Sequence, residues 1–518
     1  MLKEKKLDLL LALGVFLAAF VVYFSTMAPT VSFWDCGELI AASNILGNPH
    51  PPGNPLLTLL MRAFIIVVPF AEKAARANFV STVTTALMVM VSFLFILKSL
   101  RLLFRAGGLN RFALYAGGLI GAFLVGFGDT VWFSAVEAEA YGASMLLVMT
   151  ISWLTLHWYQ HRGTPVADRT LLMIGYLGFL GQGIHPFSFI TIPVVGLFLL
   201  VDKGTRTNVP LMLTGVMLLS IIYDIGDFIF YAGGTLLFCV VALLATKTPE
   251  WRRRWSLSAW LCFVALLGFS SYLYVPIRSS VNVTIDEGEP RTWPLFKEYL
   301  ERKQYGSESM LKRAFHRRGQ LQNQILVHPH MGFGGYLLAQ YFPWKVGERD
   351  AEAPEVVERT VFGKTFTFRA LTDSLAGSPR TQLFLFLLLQ LPFLYGVWLA
   401  YKRNRNIGLF LFGLYFITTY MIIFYLNMAD GTQMELRDYE YWKSTGFDPN
   451  QKPAPVYMEV RERDYFYTPG FIYMGVLFGI AATFLLNALA TRRRFLLRPL
   501  GVVLVVLAAA VPLWSNYR

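Results

Sequence analysis

The chain has 518 residues, 55% of them hydrophobic and 15% charged, with a mean hydropathy of +0.48, far too apolar for a soluble globular protein of this length. Its 46 basic and 33 acidic residues leave a formal charge of +13, but the Lys and Arg sit in short clusters between apolar runs, which reads as membrane topology and not as nucleic-acid binding. These numbers exclude a soluble enzyme and point to an all-α integral membrane protein.

In chain order, apolar runs long enough to approach a bilayer span fall at 8–26, 78–104, 111–128, 141–159, 169–184, 186–202, 208–223, 228–246, 256–276, 381–401, 407–427, 469–490 and 498–514, a bundle of about thirteen transmembrane helices. The first follows Lys3, Lys5 and Lys6 with no small-residue cleavage site after it, so it is expected to stay as an anchor. Basic groups then recur at every second connection: Lys98 to Arg111, Arg162/Arg169, Lys203/Arg206, Lys247 to Arg254, Lys402 to Arg405, and Arg492 to Arg498. By the positive-inside rule these connections and the N-terminus are cytoplasmic. The run 55–70 would break that alternation if it crossed, so it is expected to lie as a juxtamembrane or re-entrant helix on the other face.

That opposite, external face then holds the unusual polar residues. The expected organisation is an N-terminal transmembrane core over 1–276 with a first external loop at 27–77, an external loop or cap at 277–380, and C-terminal helices over 381–518 with an external loop at 428–468. An enzyme working there has no access to cytoplasmic nucleotide sugars or ATP and needs a lipid-borne substrate.

The first loop carries Trp34-Asp35-Cys36-Gly37-Glu38 and Asn48-Pro49-His50-Pro51-Pro52-Gly53. With 35–45 helical, Asp35 and Glu38 share one face, which suits a general base or a cation site; a helix cap with Asp35 at its start and Glu38 three residues on is an equally good reading. Glu137 and Glu139 precede an apolar run and are candidates to support the acceptor or the acid–base chemistry, with interfacial snorkelling as the ordinary alternative. In helical geometry Glu137 would share a face with Tyr141 and Glu139 would point elsewhere. His50 and His185 are further candidates, although a lone histidine at a helix break more often bonds to a neighbouring helix. Arg278 ends the ninth run against the charge trend, and Arg461 and Arg463 precede the twelfth; each suits a phosphate, with a lipid-headgroup anchor or a salt-bridge network as alternatives. Lys303 and its neighbours in Tyr299 to Gly306, and Lys312 to Arg318, read as a mixed-charge loop. The cysteines Cys36, Cys239 and Cys262 show no metal-type spacing, and neither a disulfide nor zinc is expected. No Walker, dinucleotide, zinc-protease or kinase signature occurs.

Taken together, Trp34 to Glu38, His50 to Gly53, Val136 to Tyr141, His185, Tyr274 to Ser279, Tyr299 to Gly306 and Val460 to Phe466 run in consistent order over about 25–480. In that set the chain resembles the membrane protein O-mannosyltransferase group related to transmembrane protein 260, glycosyltransferase family 117 of the GT-C superfamily. The resemblance implies a GT-C fold, an active site on the periplasmic face of the cell inner membrane, and a polyprenyl-phosphate-linked sugar as donor. It places the catalytic carboxylate on Asp35 with Glu38 beside it. The expected reaction is inverting transfer of a sugar, mannose by analogy, to Ser or Thr hydroxyls of exported proteins. The donor phosphate would lie on Arg278 and one of Arg461 or Arg463; no cofactor is required and a divalent cation is an option. The rival readings are a GT-C transferase with a glycolipid or cell-wall acceptor, and a lipid or solute transporter, which usually shows inverted repeats and acids near the bilayer middle.

Overall fold

The computed structural model describes residues 2–305, 315–327, 331–342, 358–361, 364–367, 379–432, 444, 446 and 463–516. In a bilayer each backbone polar group must be satisfied within its own segment, so long apolar runs become helices. The chain does this throughout: α1 (Leu2–Thr26), α2 (Cys36–Ile45), α3 (Pro55–Val67), α4 (Lys73–Leu103), α5 (Arg111–Gly126), α6 (Asp129–Val136), α7 (Tyr141–Gln160) and α8 (Pro165–Gln182) come first. There follow α9 (Ile192–Leu199), α10 (Lys203–Arg206), α11 (Val209–Leu218), α12 (Phe228–Ala245), α13 (Pro249–Phe269), α14 (Tyr274–Ser279) and α15 (Trp293–Leu300). After them lie α16 (Leu321–Ile325), α17 (Phe333–Ala339), an antiparallel hairpin of β1 (Glu358–Val361) and β2 (Lys364–Thr367), α18 (Pro379–Arg403), α19 (Arg405–Thr418), α20 (Tyr420–Leu426), α21 (Thr468–Arg492) and α22 (Arg494–Asn516).

All thirteen apolar runs are helical, but among the described residues eight helices are long and apolar enough to cross a membrane, or nine if α5 and α6, bent by 62° at their junction, count as one span. The runs at 186–202 and 208–223 form shorter apolar helices, and α3 has only 13 residues, about 20 Å of helix, short of a hydrocarbon core of about 30 Å.

The bundle sorts its polar groups to two ends. At one end Arg101 pairs with Asp8 at 2.6 Å, Arg253 with Asp168 at 2.8 Å, Arg254 donates to the Thr207 carbonyl, and the Arg403 guanidinium lies over Phe104. At the other end Ala28 N–H bonds to the Val136 carbonyl, Asn48 meets Asp286, and Thr130 donates to Asp464 at 2.5 Å. The spacing of basic clusters read from the sequence is therefore a real segregation in space. Between the ends lies one large apolar core drawing on helices from α1 to α21. There α5 and α21 cross backbone to backbone: a Cβ on Gly117 would meet the Gly479 carbonyl oxygen at 2.6 Å, and one on Gly475 would meet Val125 at 2.7 Å. Glycines at fourfold spacing on both helices, Gly117 with Gly121 and Gly475 with Gly479, permit this close approach. It ties the C-terminal helices directly to the N-terminal ones.

Candidate active site

The first loop is held by a strap from 274–300. Tyr274 donates to the Gly47 carbonyl at 3.0 Å, Asn48 N–H to the Ile285 carbonyl at 2.8 Å, the Asn48 side chain to the Asp286 carboxylate at 2.8 Å, and Ser279 to the same carboxylate at 2.7 Å. Tyr299 of α15 donates to the Pro49 carbonyl. Gly53 sits at φ +88°, and a Cβ there would meet the Tyr299 hydroxyl oxygen at 2.3 Å, so this turn needs glycine both for its backbone and for space. The local Pro-Pro-Gly rigidity and this long-range clasp together set where His50 stands.

His50 is bound twice to one carboxylate: its Nδ1 lies 2.6 Å from Glu38 Oε2, and its backbone N–H donates to Oε1 at 2.6 Å. Burial, the largest influence on Glu38, would raise its carboxyl, but the bonds from the His50 ring and backbone outweigh it and hold it below the usual range. In return Glu38 raises the His50 imidazole, with burial and the Arg302 charge opposing. Glu38 thus fixes the proton on Nδ1 when His50 is neutral and leaves Nε2 as its other working atom.

Asp35 immediately precedes α2, yet its side chain makes no capping bond and is exposed. Glu38 is committed to His50, so the capping-box alternative does not apply. The Asp35 charge acts on both His50 and Cys36, so it lies within electrostatic reach of the Glu38–His50 pair and of a second acidic group. Before it, Trp34 adopts φ +64°, a left-handed conformation that costs a bulky residue about 1–3 kcal/mol. Val31, Phe33 and Trp34 are 51%, 86% and 63% exposed, so apolar side chains lie open beside the carboxylate.

The second group is Cys36, Glu137 and Glu139, whose ligating atoms all lie within 4.8 Å of one another. Residues 137–140 are not helical, contrary to the geometry expected from the sequence. Glu137 is extended at φ −134° and ψ 165°, and the Glu139 N–H turns back to the Glu137 carbonyl at 2.8 Å. The two carboxylates therefore converge instead of diverging. Ser81 of α4 holds this turn through both the Glu139 carbonyl and its N–H. Glu137 is 5% exposed, and burial pushes its carboxyl up to about 7 against the hydrogen bonds it accepts from Ser32 and Cys36. The Cys36 thiol is raised by burial and by its acidic neighbours and stays protonated at neutral pH. The carboxylates offer oxygen ligands for a hard divalent ion, whereas the neutral thiol fits one poorly.

His185 caps the short helix Pro186–Phe189, its Nδ1 accepting from the Phe187 N–H at 3.2 Å, with its ring packed between Tyr141 and Phe187. Burial drives it down to about 3, so it is a neutral structural group that borders the site. Arg278 donates to the Leu46 carbonyl at 2.6 Å and the Ile45 carbonyl at 3.3 Å, closing the C-terminal end of α2. Asp35 is at the opposite end of that ten-residue helix, about 15 Å away, and the structure does not bring the two together. Arg463 donates its backbone N–H to the Tyr336 hydroxyl, and Arg461 lies outside the described residues.

The cation the sequence reading passed over is Arg302, at φ +58°. Its charge acts on both His50 and His185. Its neighbours are spoken for: Lys297 pairs with Asp227 at 2.5 Å and Glu301 at 3.6 Å, and Lys303 pairs with Glu301 at 3.3 Å. Among the described residues Arg302 has no carboxylate within ion-pair distance. It was visible inside Tyr299 to Gly306, but only the pairing of the lysines around it singles it out.

Residues 35–208 match the family model described as the N-terminal domain of Protein O-mannosyl-transferase TMEM260. The chain is 32% identical over 149 residues to Protein O-mannosyl-transferase TMEM260 of Mus musculus, covering 29% of this chain and 20% of that protein. It is 26% identical over 147 residues to Protein O-mannosyl-transferase tmem260 of Dictyostelium discoideum, covering 28% and 16%. The match thus spans a fifth or less of the length of these curated relatives. Among solved structures, the apo oligosaccharyltransferase of Archaeoglobus fulgidus aligns over 98% of this chain and 55% of its own at 12% identity, with a TM-score of 0.39. The resemblance read from the motifs therefore holds for the stretch that contains Asp35, Glu38, His50, Glu137, Glu139 and His185.

Proposed function

We propose that the chain is a membrane glycosyltransferase that moves a sugar from a polyprenyl-phosphate donor to Ser or Thr hydroxyls of exported proteins, at the end of the bundle opposite the basic clusters. The observation that supports it most is Asp35: an exposed carboxylate that makes no capping bond, within electrostatic reach of His50 and Cys36 and within the stretch that matches the O-mannosyl-transferase family. The exposed Val31, Phe33 and Trp34 beside it suit a substrate that arrives on a lipid.

In this reading Asp35 takes the proton of the acceptor hydroxyl while its oxygen attacks the anomeric carbon opposite the phosphate. The bond from that carbon to the phosphate oxygen breaks, its electron pair stays on the phosphate, and the centre inverts. The departing phosphate is met by Arg302 and by His50, which Glu38 keeps oriented and readily protonated. Arg278 acts at a distance by fixing α2, and Arg463, just before the twelfth apolar run, is held by its backbone N–H on Tyr336. Glu137 and Glu139 orient the acceptor, and transfer needs no metal.

The test uses the full chain in proteoliposomes with chelator, labelled polyprenyl-phosphate mannose and a Ser/Thr-rich peptide. Label on peptide hydroxyls, with none from a nucleotide sugar, is expected. Label on a glycolipid instead would move the acceptor class, and lipid flux with no covalent product would make the chain a transporter.

A further inference from the structure

At the opposite end of the bundle a cavity of about 1120 Å³ opens between α1, α5 and α22. Arg111, Arg494 and Arg498 line it at the basic end, while Leu119, Val502 and Val506 line it deeper in the bundle. Along α22 the lining runs from Arg494 to Val506, about 18 Å of helix, close to the depth of one leaflet of a hydrocarbon core of about 30 Å. The lining contains no carboxylate. Asp8 on α1 accepts two bonds from Arg101 and one from Tyr115, and its charge also acts on the lining Arg111. All three lining arginines are exposed, and no ion pair engages them among the described residues. The ends of α5 and α22 at the mouth are N-terminal ends whose first turns hold no acid, which adds to the positive potential there.

This combination is not a general property of the basic end. The cluster on α13 has Arg253 on Asp168 and Arg254 on Glu250, charges already matched by protein. Around α22 the protein leaves three exposed guanidinium groups above an apolar slot, with no carboxylate within ion-pair distance of them among the described residues. A guanidinium fork matches a phosphate in two bonds, and the slot below takes a chain that a soluble anion lacks. Basic pockets between transmembrane helices are used in this way for anionic headgroups.

We infer that the groove between α1, α5 and α22 is a binding site for one anionic phospholipid of the bilayer, its phosphate on Arg111, Arg494 and Arg498 and an acyl chain along Leu119, Val502 and Val506. The site is separate from the proposed transfer chemistry and stands at the other membrane surface from Asp35.

The experiment reconstitutes the full chain in phosphatidylcholine nanodiscs containing a minority of phosphatidylglycerol, re-extracts it in detergent, and measures retained lipid by mass spectrometry. Wild type is expected to retain one phosphatidylglycerol in preference to phosphatidylcholine. The combined Arg111→Gln, Arg494→Gln and Arg498→Gln variant is expected to lose that preference by about tenfold or more. Arg252→Gln, Arg253→Gln and Arg254→Gln together should keep it. Val505→Trp, which fills the slot and leaves every arginine, should also lose the lipid and serves if the triple variant does not fold. Equal retention of the two lipids, unchanged retention in the triple variant or in Val505→Trp, or equal loss in the α13 variant would overturn the site. Stoichiometric displacement of the phosphatidylglycerol by added polyprenyl phosphate would overturn the assignment to a bilayer phospholipid.

Discussion

Replacing Glu137 by glutamine keeps its size and its capacity to accept from Ser32 and Cys36 while removing a charge from a group that is 5% exposed. The carboxyl goes from an ordinary 4.5 to about 7 in the folded chain, which corresponds to a penalty of at most about 3 kcal/mol for the ionised native state. Below pH 4.5 both states are protonated and no penalty exists. As pH rises from there to 7 the unfolded chain loses its proton first, so native stability falls across that window and is level above it. Glu137→Gln is therefore expected to match wild type near pH 4.5 and to exceed it at pH 8, by several degrees in a fluorescence-monitored thermal transition in detergent. Asp35, Cys36 and Glu139, the other ionisable groups around it, are common to both proteins, so the difference between the two curves isolates Glu137. A variant less stable than wild type at pH 8, or a difference that does not change with pH, would refute the argument that burial governs this carboxyl.

Other consequences follow from the same geometry. Glu38→Gln removes the main influence that raises His50, so the alkaline limb of the transfer rate should move to lower pH; an unmoved limb would mean that the imidazole does not titrate in turnover. Tyr299→Phe leaves the Pro49 carbonyl without its donor and should destabilise by about 1–3 kcal/mol, and Gly53→Ala, which adds backbone strain and a clash with Tyr299, should cost more; thermal transitions at wild-type level in both would show that the strap does not hold the first loop. Arg302→Ala should raise the donor KM with the thermal transition unchanged, whereas Arg278→Ala, which frees the Leu46 and Ile45 carbonyls, should lower the thermal transition; the reverse pattern would return the phosphate role to Arg278.

Much of the fold was legible because the bilayer enforces it: all thirteen apolar runs became helices, the run at 55–70 proved too short to span at ordinary thickness, and the alternating basic clusters gather at one end. Local spacing also gave the Asp35–Glu38 helix start and the rigid turn at His50. What spacing could not give was long-range. Cys36 meets Glu139 across 103 positions, and the turn at 137–140 that makes the two glutamates converge depends on Ser81 of α4. Arg278 shows the same limit from the other side: an arginine against the charge trend looked like a phosphate ligand, and only the structure shows that two of its donors go to helix-end carbonyls. Arg302 read as one member of a mixed-charge loop, and only the partners of Lys297 and Lys303 show that, among the described residues, it stacks on Tyr305 and has no carboxylate of its own.

The central claim is that Asp35 removes the proton of the acceptor hydroxyl, and Asp35→Asn tests it most directly because the exposed, uncapping side chain can change without disturbing α2. Single-turnover transfer of sugar from polyprenyl phosphate to peptide should fall by about 10²–10⁴, with donor binding and the thermal transition as in wild type. Transfer at the wild-type rate from Asp35→Asn would contradict the account.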